Sequence, residues 1–377
     1  IRLREVKGGI CLPFFIFTKN YTMKFYSYLF IILTIFSSCK EEEDAPTFSK
    51  DYGSGMYIST DIGVSFYKDG VVKNQIYKEV NGLTLTRVER IKFSGTKAFI
   101  LAGDMYSVNI ETFEDKGIAS GFVNPVDLTF LSPDNRAFVV DKDDSKVKEV
   151  DLDRMEVASV IETGDSTKPV FIVSKWYRSI VMNGGAEPDS LNDSTIVAID
   201  YRDELVSLAE NMGGLYVGDN PNSAVNINNL KILCKGIYDP NDLTTKTQST
   251  LITVNPWDLL ISASTTLNGI YNAQNLISKP DDTEYYFTAE DGVYKMSSTG
   301  NSVSKVSSLI SDIVAYQDDR YSVYSTNDSV WYWYNRDVLF FNDAVNSPTT
   351  IYKYNLDNNS FIDTIEVNGN VRDVNFY

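Results

Sequence analysis

The side chains available for chemistry in this sequence are carboxylates, amides, tyrosines and lysines, because histidine is absent. A chain without histidine cannot form a Ser-His-Asp or Cys-His nucleophile, and it offers no imidazole base or metal ligand. Of the three cysteines, Cys234 lies in the apolar run LKILCKGIY, which favours a buried thiol over a nucleophile. No spacing of the remaining groups marks an acid–base pair, so no catalytic residue is predicted.

Asparagine and aspartate are concentrated in segments rich in turn-forming residues, where their side chains could hydrogen-bond a polar ligand. The longest of these segments are GGAEPDSLNDS (184–194), YDPNDLTTKTQS (238–249) and NDAVNSPT (342–349). The alternative is that these residues only form turns, which Asn and Asp favour for backbone reasons. The residues predicted to bind a ligand are Asn124, Asn183, Asn220, Tyr238, Asn342 and Asp343.

Alternating acids in DKDDS (141–145) are a weaker candidate for calcium binding. Carboxylate oxygens suit calcium, but the run lacks the glycine and the distant glutamate of an EF-hand loop. A solvated turn between two strands is the preferred interpretation. No metal site and no cofactor are therefore predicted.

Four consecutive aromatic residues, WYWY (331–334), form the densest aromatic run. Successive side chains of a strand point to opposite faces, so this run places rings on both faces. One face could stack on a planar ligand or a sugar. The alternative is that the rings pack within an irregular last repeat.

The elements that must position these residues are short strands arranged in a repeated unit of four. Around Asn124 the sequence predicts strands at 126–131, 136–141, 146–151 and 155–162, with turn residues such as SPDN between them. Weaker copies precede and follow this unit, and no segment of comparable length has a helical period. Four-stranded units at this spacing are typical of propeller blades. The sequence therefore predicts an all-β fold, a seven-bladed β-propeller of four-stranded blades.

The two ends of the repeat region complement each other. The first blade, which begins near Gly55, lacks an inner strand, and the C-terminal residues VRDVNFY (371–377) have the pattern of one. We therefore expect the C-terminal strand to close the ring, which leaves no blade with an unpaired inner edge. The last blade contains more strand-like runs than it needs, and either 311–316 or 320–325 is its inner strand.

The segment before the repeats predicts a signal peptide. An apolar run from Phe25 to Phe36 is too short to span a bilayer, and Lys24 precedes it. The residues FSSC (36–39) resemble the lipobox of bacterial lipoproteins, in which the cysteine is lipidated and becomes the first mature residue. The family usually has Leu or a smaller aliphatic residue where this chain has Phe36. The alternative is an uncleaved membrane anchor.

These features divide the chain into four parts. Residues 1–22 are interpreted as upstream sequence that is not translated, residues 23–38 as the signal peptide, residues 39–47 as an acidic tether that begins with the lipidated Cys39, and residues 48–377 as one propeller domain. The acids after Cys39 look like the export signal of lipoproteins at the outer face of the outer membrane. The alternative is a plain solvated linker.

Charge excludes one class of partner. Removal of residues 1–38 takes away five basic residues and one acidic residue, which leaves 29 basic and 50 acidic residues and a net charge of −21. Such a surface repels phosphate backbones, so nucleic-acid binding is not expected. Attachment to a membrane is expected through the lipid anchor only, and the protein is expected to be a monomer apart from a transporter partner.

The runs PVDLTFLSPDNRAFVVD and VLFFNDAVNSPTTIYKYNLDNNSFIDTIEVNG resemble the seven-bladed YncE-like propellers of bacterial surface lipoproteins. These relatives include the BtuG type, cobalamin-capturing partners of TonB-dependent transporters. The resemblance implies a surface lipoprotein that binds a corrinoid, a glycan or a protein partner on the loop-rich face of the propeller and serves nutrient uptake. The alternative is a metal-dependent propeller hydrolase or lyase, which requires three or more carboxylate or amide groups converging on the axis.

Overall fold

The computed structural model describes residues 50–377 except for residues 132–134, 165–166, 186–192, 201–213, 240–241 and 326–329. Cys39, the signal peptide and the acidic tether lie outside this range, as does most of the predicted loop at 184–194. The described residues form one compact unit, and none of their helices is long and apolar enough to cross a membrane.

The described chain contains 28 strands, β1 to β28, and one short helix, α1. The first two blades and the helix use β1 (Met56–Thr60), β2 (Gly63–Lys68), β3 (Val71–Lys73), α1 (Ile76–Asn81), β4 (Arg90–Ser94), β5 (Lys97–Ala102), β6 (Asp104–Asn109) and β7 (Asp115–Ala119). The next two blades use β8 (Pro125–Leu131), β9 (Arg136–Asp141), β10 (Lys146–Asp151), β11 (Glu156–Glu162), β12 (Phe171–Lys175), β13 (Arg178–Asn183), β14 (Thr195–Asp200) and β15 (Leu215–Tyr216).

The remaining strands complete the ring. They are β16 (Pro221–Asn226), β17 (Leu230–Cys234), β18 (Thr250–Val254), β19 (Ile261–Thr266), β20 (Gln274–Ser278), β21 (Glu284–Ala289), β22 (Gly292–Ser297), β23 (Val303–Ser307), β24 (Val314–Ser325), β25 (Val330–Asp343), β26 (Ser347–Asn355), β27 (Ser360–Glu366) and β28 (Val371–Phe376). Together, the 28 strands of the described residues form seven antiparallel sheets of four strands, so the predicted seven-bladed β-propeller is confirmed.

Blade 1 closes the ring as the sequence predicts. The C-terminal β28 is its inner strand and pairs antiparallel with β1, with Val374 opposite Ile58. Just beyond this pair, Gly55 and Tyr377 exchange two backbone hydrogen bonds of 3.1 Å. The other six blades each use four strands that are consecutive in the chain, and blades are numbered here in that order.

In blade 7, β24 runs without interruption from Val314 to Ser325, so the inner strand overlaps both of the alternatives that the sequence left open. Only its first residues lie opposite the part of β25 that also pairs with β26. The remaining residues, 318–325 and 330–337, pair with each other alone and extend past the blade as a two-stranded ribbon, called the blade 7 hairpin below.

The core consists of seven separate hydrophobic clusters, one between each pair of neighbouring blades. Successive side chains of the second strand of each blade point to opposite faces of the sheet, so this strand contributes to the clusters with both neighbouring blades. In β21, Tyr285 packs towards blade 5 and Tyr286 packs towards blade 7, and both are buried. Large aromatic side chains therefore fill the space between neighbouring sheets and set the distance between them.

The two rims of the ring have different connections. The loops between blades and those from the second to the third strand of a blade share one rim, called the loop-rich face. The turns from the first to the second strand and from the third to the fourth strand share the opposite rim, called the basal face. The inner strands start at the loop-rich face and end at the basal face.

Candidate functional site

A cavity of about 350 Å³ lies on the axis of the ring and is lined by residues of six of the seven inner strands. Arg90 and Lys92 of β4 contribute cationic groups, and Asp373 of β28 contributes a carboxylate. Phe171 of β12 and Tyr316 of β24 contribute rings. The inner strands therefore turn charged and polar side chains towards a channel that the blades leave open.

The charges of the channel are paired with one another. Asp127 of β8, fully buried, lies 2.7 Å from the Lys92 ammonium and 3.5 Å from Arg90 Nε. The second oxygen of Asp127 accepts the backbone N–H of Ile172 at 3.0 Å. Arg90 also lies 3.4 Å from a carboxylate oxygen of Asp373. Burial raises the pKa of Asp373, although Arg90 and Lys92 act against this.

This arrangement bears on the hydrolase alternative. Among the described residues, no group of three or more Asp, Glu, Cys or His side chains is placed to hold a metal ion. The axial carboxylates instead contact cations of β4. The candidate calcium run is likewise a turn between β9 and β10, where Asp141 contacts the Lys148 ammonium at 2.6 Å.

The channel opens on the loop-rich face through a polar rim, called the mouth. A space of about 360 Å³ is lined there by Glu89, Gln274, Asn275, Thr288, Ser311, Asp312, Val371 and Arg372. Asn275, Asp312 and Arg372 line both the mouth and the axial cavity, so the two spaces adjoin. Seven of the eight mouth residues are polar, which suits a ligand rich in hydroxyl groups.

Hydrogen bonds fix the mouth side chains in place. Arg372 Nε donates to Glu89 at 3.1 Å. The Asn275 amide donates to Thr288 Oγ1 at 3.1 Å and to the Asp312 carbonyl at 2.8 Å. Asn275 adopts a left-handed conformation with φ 57°, which Asn tolerates better than most residues. A ligand that enters this space meets groups whose orientation is already set.

The Asp312 side chain is exposed at the mouth, although its neighbours Ser311 and Ile313 are buried. Partial loss of solvent raises the pKa of its carboxyl group, and Arg372 only partly opposes the effect. The folded protein therefore disfavours the charge that Asp312 carries at neutral pH. A residue kept at a cost to stability is a candidate for function.

We expect Asp312→Asn to raise the Tm at pH 7. A carboxyl group whose pKa is higher in the folded state than in the unfolded state stabilises the fold at low pH, and this contribution is lost as pH rises above about 4. The Tm difference should therefore shrink towards zero as pH falls below that value. Asp143→Asn is the control of opposite sign, because hydrogen bonds from Asn124 and Lys168 outweigh burial and lower the pKa of Asp143. Equal pH profiles of the two variants would contradict this reasoning.

Four of the predicted ligand-binding residues are buried, and three of them, all asparagines, hold loops of the loop-rich face in place. Asn342 accepts hydrogen bonds from Ser311 Oγ at 2.7 Å and from the Asp312 N–H at 3.0 Å, so it positions two residues of the mouth. Asn183 donates to Thr195 Oγ1 at 3.1 Å, and Asn220 donates to the Gly236 carbonyl at 3.0 Å. These hydrogen bonds are structural, because they connect buried asparagine side chains to residues of the loops.

The other three predicted residues, of which Asp343 is also buried, lie in different blades. Asn124 is half-buried and donates to Asp143 at 2.8 Å. Asp343 accepts the N–H groups of Val345 and Asn346 at 3.2 and 3.0 Å, which closes the turn to β26. Burial raises the pKa of Tyr238, and Glu290 adds to the shift. The six predicted residues do not converge on one point, and their role in binding stays a prediction.

Sequence reasoning missed the mouth residues themselves. It followed the long loops, whereas Arg372, Asn275 and Asp312 lie at or just before the starts of inner strands. The sequence does contain a sign of these residues, because each is a polar residue at the start of an inner strand, and inner strands face the axis. It does not show that the three strand starts meet, because they belong to blades 1, 6 and 7.

Comparisons with known proteins agree with this fold. No family model matches the chain, and no curated protein matches it by sequence. Among solved structures, a chain described as a putative 6-phosphogluconolactonase from Bacteroides uniformis has a TM-score of 0.59 at 10% identity, covering 86% of this chain and 99% of that one. Hydrazine synthase of Kuenenia stuttgartiensis has a TM-score of 0.57 at 13% identity over 76% and 88%.

A functionally unknown protein from Desulfotomaculum acetoxidans is similar to the same degree, with a TM-score of 0.57 at 10% identity over 85% of this chain and 98% of that one. Identities this low carry information about architecture and none about activity. The chain is a seven-bladed β-propeller with propeller-type structural neighbours, and its site must be judged from its own residues.

Proposed function

We propose that this protein is a non-catalytic binding protein that holds a small polar nutrient in the mouth of the propeller. The observation that carries the proposal is the polar mouth, in which Arg372, Asn275 and Asp312 are shared with the axial cavity. Groups that are fixed before the ligand arrives lower the entropic cost of binding.

The chemistry of the mouth favours a glycan over a corrinoid. Its wall offers carboxylate, guanidinium, amide and hydroxyl groups that match the donors and acceptors of a sugar. None of the residues that line the mouth is aromatic, so the mouth offers no ring on which a flat ring system could stack. A sugar unit also suits a space of about 360 Å³.

The cellular setting of the proposal follows from the resemblance of residues 36–39 to a lipobox. The protein would be attached by Cys39 to the outer membrane, exposed at the cell surface, and would pass its ligand to a TonB-dependent transporter. The tether after Cys39 is short and charged, so it would keep the propeller close to the membrane without packing against it.

Calorimetric titration of the soluble chain from Lys40 onward with oligosaccharides, corrinoids and divalent cations tests the binding site. We expect binding of a saccharide and at least a tenfold loss of affinity, about 1.4 kcal/mol, in Arg372→Met and in Asp312→Asn, since each removes a charged partner of the ligand. Asp242→Asn, an exposed acid in the loop between β17 and β18, is the matched control on the same face and should bind normally. Absence of binding by every probe, or equal affinity of all variants, would refute the proposal.

A further inference from the structure

The four tryptophans of this chain have an unusual distribution. Trp176, Trp257, Trp331 and Trp333 are all the tryptophans of the sequence, and their exposed fractions are 77%, 40%, 60% and 61%. Tryptophan is normally among the most buried residues on average. All four lie on the basal face: in the turn between β12 and β13, in the turn between β18 and β19, and on the blade 7 hairpin.

Other exposed aromatic residues follow the same distribution. Tyr177, Tyr334 and Tyr377 are exposed at the basal face, whereas the remaining two exposed aromatics of the described chain, Tyr216 and Phe361, lie on outermost strands. The exposed large apolar side chains at the loop-rich face are mostly aliphatic, for example Val123 and Val345, and Tyr216 at the end of β15 is an aromatic exception. The two rims therefore differ in chemistry as well as in their connections.

The first aromatic cluster joins blades 4 and 5. The Trp257 ring lies 6.5 Å from the Trp176 ring and 5.5 Å from the Tyr177 ring, measured between centroids. Arg178 holds the Trp257 turn by donating to the Pro256 carbonyl at 3.0 Å. Leu260 and Ile261 extend the cluster with exposed fractions of 64% and 43%.

Trp176 also has a backbone conformation that large side chains avoid, with φ 61°. A left-handed conformation is an outlier for a bulky residue, and such positions cluster at functional sites. Glycine or asparagine would fit this turn with less strain. The turn therefore presents a tryptophan to solvent at a cost.

The second cluster lies on the blade 7 hairpin. Trp331 and Trp333 are two residues apart in β25, so their rings point to the same face of the ribbon. The Arg320 guanidinium lies 4.8 Å above the Trp333 ring, which holds that ring in place. Eight residue pairs extend the hairpin by up to about 26 Å beyond the blade.

The chain before the propeller also leaves from the basal face. Lys50 forms an ion pair of 2.9 Å with Glu111, and Tyr52 N–H donates to the Glu111 carbonyl at 3.1 Å. Glu111 lies in the turn between β6 and β7, which belongs to the basal face. From Cys39 to Lys50 the chain can span at most about 40 Å, a length comparable with the reach of the hairpin.

We propose that the basal face is a membrane-contact surface, in which the four tryptophans enter the interfacial layer of an uncharged bilayer. The inference rests on the proposed attachment at Cys39, since the described chain begins at this face and a lipid on the preceding segment would bring it near the membrane. Tryptophan rings prefer the boundary between lipid headgroups and acyl chains. The net charge of −21 disfavours contact with an anionic surface, so an uncharged bilayer is the surface that fits this protein.

The orientation has a consequence for the mouth. With the basal face on the bilayer, the mouth points into the medium, where a soluble ligand arrives. The lipid alone would only attach the protein, whereas the tryptophans would also set its orientation, with the loop-rich face towards the medium.

Tryptophan fluorescence tests this contact directly, because all four fluorophores lie on the basal face. The chain from Cys39 to Tyr377 is coupled through the Cys39 thiol to a maleimide-bearing lipid in phosphatidylcholine vesicles, while the buried Cys234 stays unreacted. We expect the emission to shift to shorter wavelength and to be quenched when the vesicles contain brominated acyl chains. Because all four rings are proposed to enter the bilayer, the double variant Trp331→Ser and Trp333→Ser and the double variant Trp176→Ser and Trp257→Ser should each still be quenched through the remaining pair. A double variant that is not quenched would show that its remaining cluster stays outside the bilayer, and would overturn the proposal.

The control is the double variant Tyr216→Ser and Phe361→Ser, which removes exposed aromatics of the outermost strands and should be quenched like the parent chain. Coupled protein that keeps the emission maximum of the free protein and is not quenched would overturn the proposal. An emission shift that needs added outer-membrane proteins would also overturn it, in favour of a protein partner. Because the coupling is chemical, these results do not depend on lipidation in cells, which labelled palmitate and Cys39→Ser test separately.

Discussion

A chain that ends at Asn370 is expected to lose the cooperative unfolding transition of the intact protein. The deletion removes β28, whose Val371 and Val374 are buried with exposed fractions of 3% and 6%. Burial of these two side chains contributes roughly 1.5–3 kcal/mol each, and the loss leaves β1 as an unpaired edge inside the ring. Together these costs approach the whole stability of a typical domain, about 5–15 kcal/mol.

Circular dichroism during thermal unfolding measures this effect on the soluble chain from Lys40 onward. A chain that ends at Phe376 is the control, because it keeps every residue of β28 that pairs with β1. We expect it to melt cooperatively, with only the contacts of Tyr377 lost. If the chain that ends at Asn370 melted at the temperature of the intact protein, β28 would not be what closes the ring.

Asp141→Ala should destabilise the protein by about 3 kcal/mol, near the lower end of the cost of breaking a buried ion pair. The Asp141 side chain is fully buried and accepts the N–H groups of Val123 and Asn124 at 2.9 and 2.7 Å. It also contacts the Lys148 ammonium, which is nearly buried itself. Asp144 lies 2.8 Å from Lys148 and keeps part of the compensation, which is why the lower value is expected.

The matched control lies two residues away in the same turn. Asp143 is about half exposed, with 46% of its side chain accessible, and its ion pair with Lys168 spans 3.3 Å. Asp143→Ala should therefore change stability by no more than about 0.5 kcal/mol. Urea unfolding with an unchanged m value measures both effects. Equal losses in the two variants would show that Asp141 is not the group that ties the preceding loop to blade 3.

The strands were accessible to sequence reasoning because each blade repeats the same local rules. In blade 3, alternation and turn residues place β9 and β10 at their observed bounds and β8 and β11 within one residue. Blade 7 was harder, because a long ribbon of alternating residues gives no local sign of where the blade ends. Only the pairing of β25 with β26 marks that boundary.

The site was less accessible for a different physical reason. An asparagine in a loop has the same local sequence whether it binds a ligand or the loop's own backbone, and Asn342 does the second. The mouth residues come together from blades 1, 2, 6 and 7, so nothing in their sequence spacing connects them. Likewise the WYWY run showed that aromatic rings were present, but not that Trp176 and Trp257 share their rim.

The two backbone hydrogen bonds between Gly55 and Tyr377 make the ends of the propeller direct neighbours. The ring therefore has no structural beginning, and blade order along the chain is one of seven equivalent ways to thread it. A circular permutant that joins Tyr377 to Gly55 by a brief linker and starts at another inter-blade loop would keep every sheet intact. Because the inter-blade loops lie on the loop-rich face, the lipid attachment point of such a rearranged protein would move to the opposite rim, and the mouth would be turned towards the membrane.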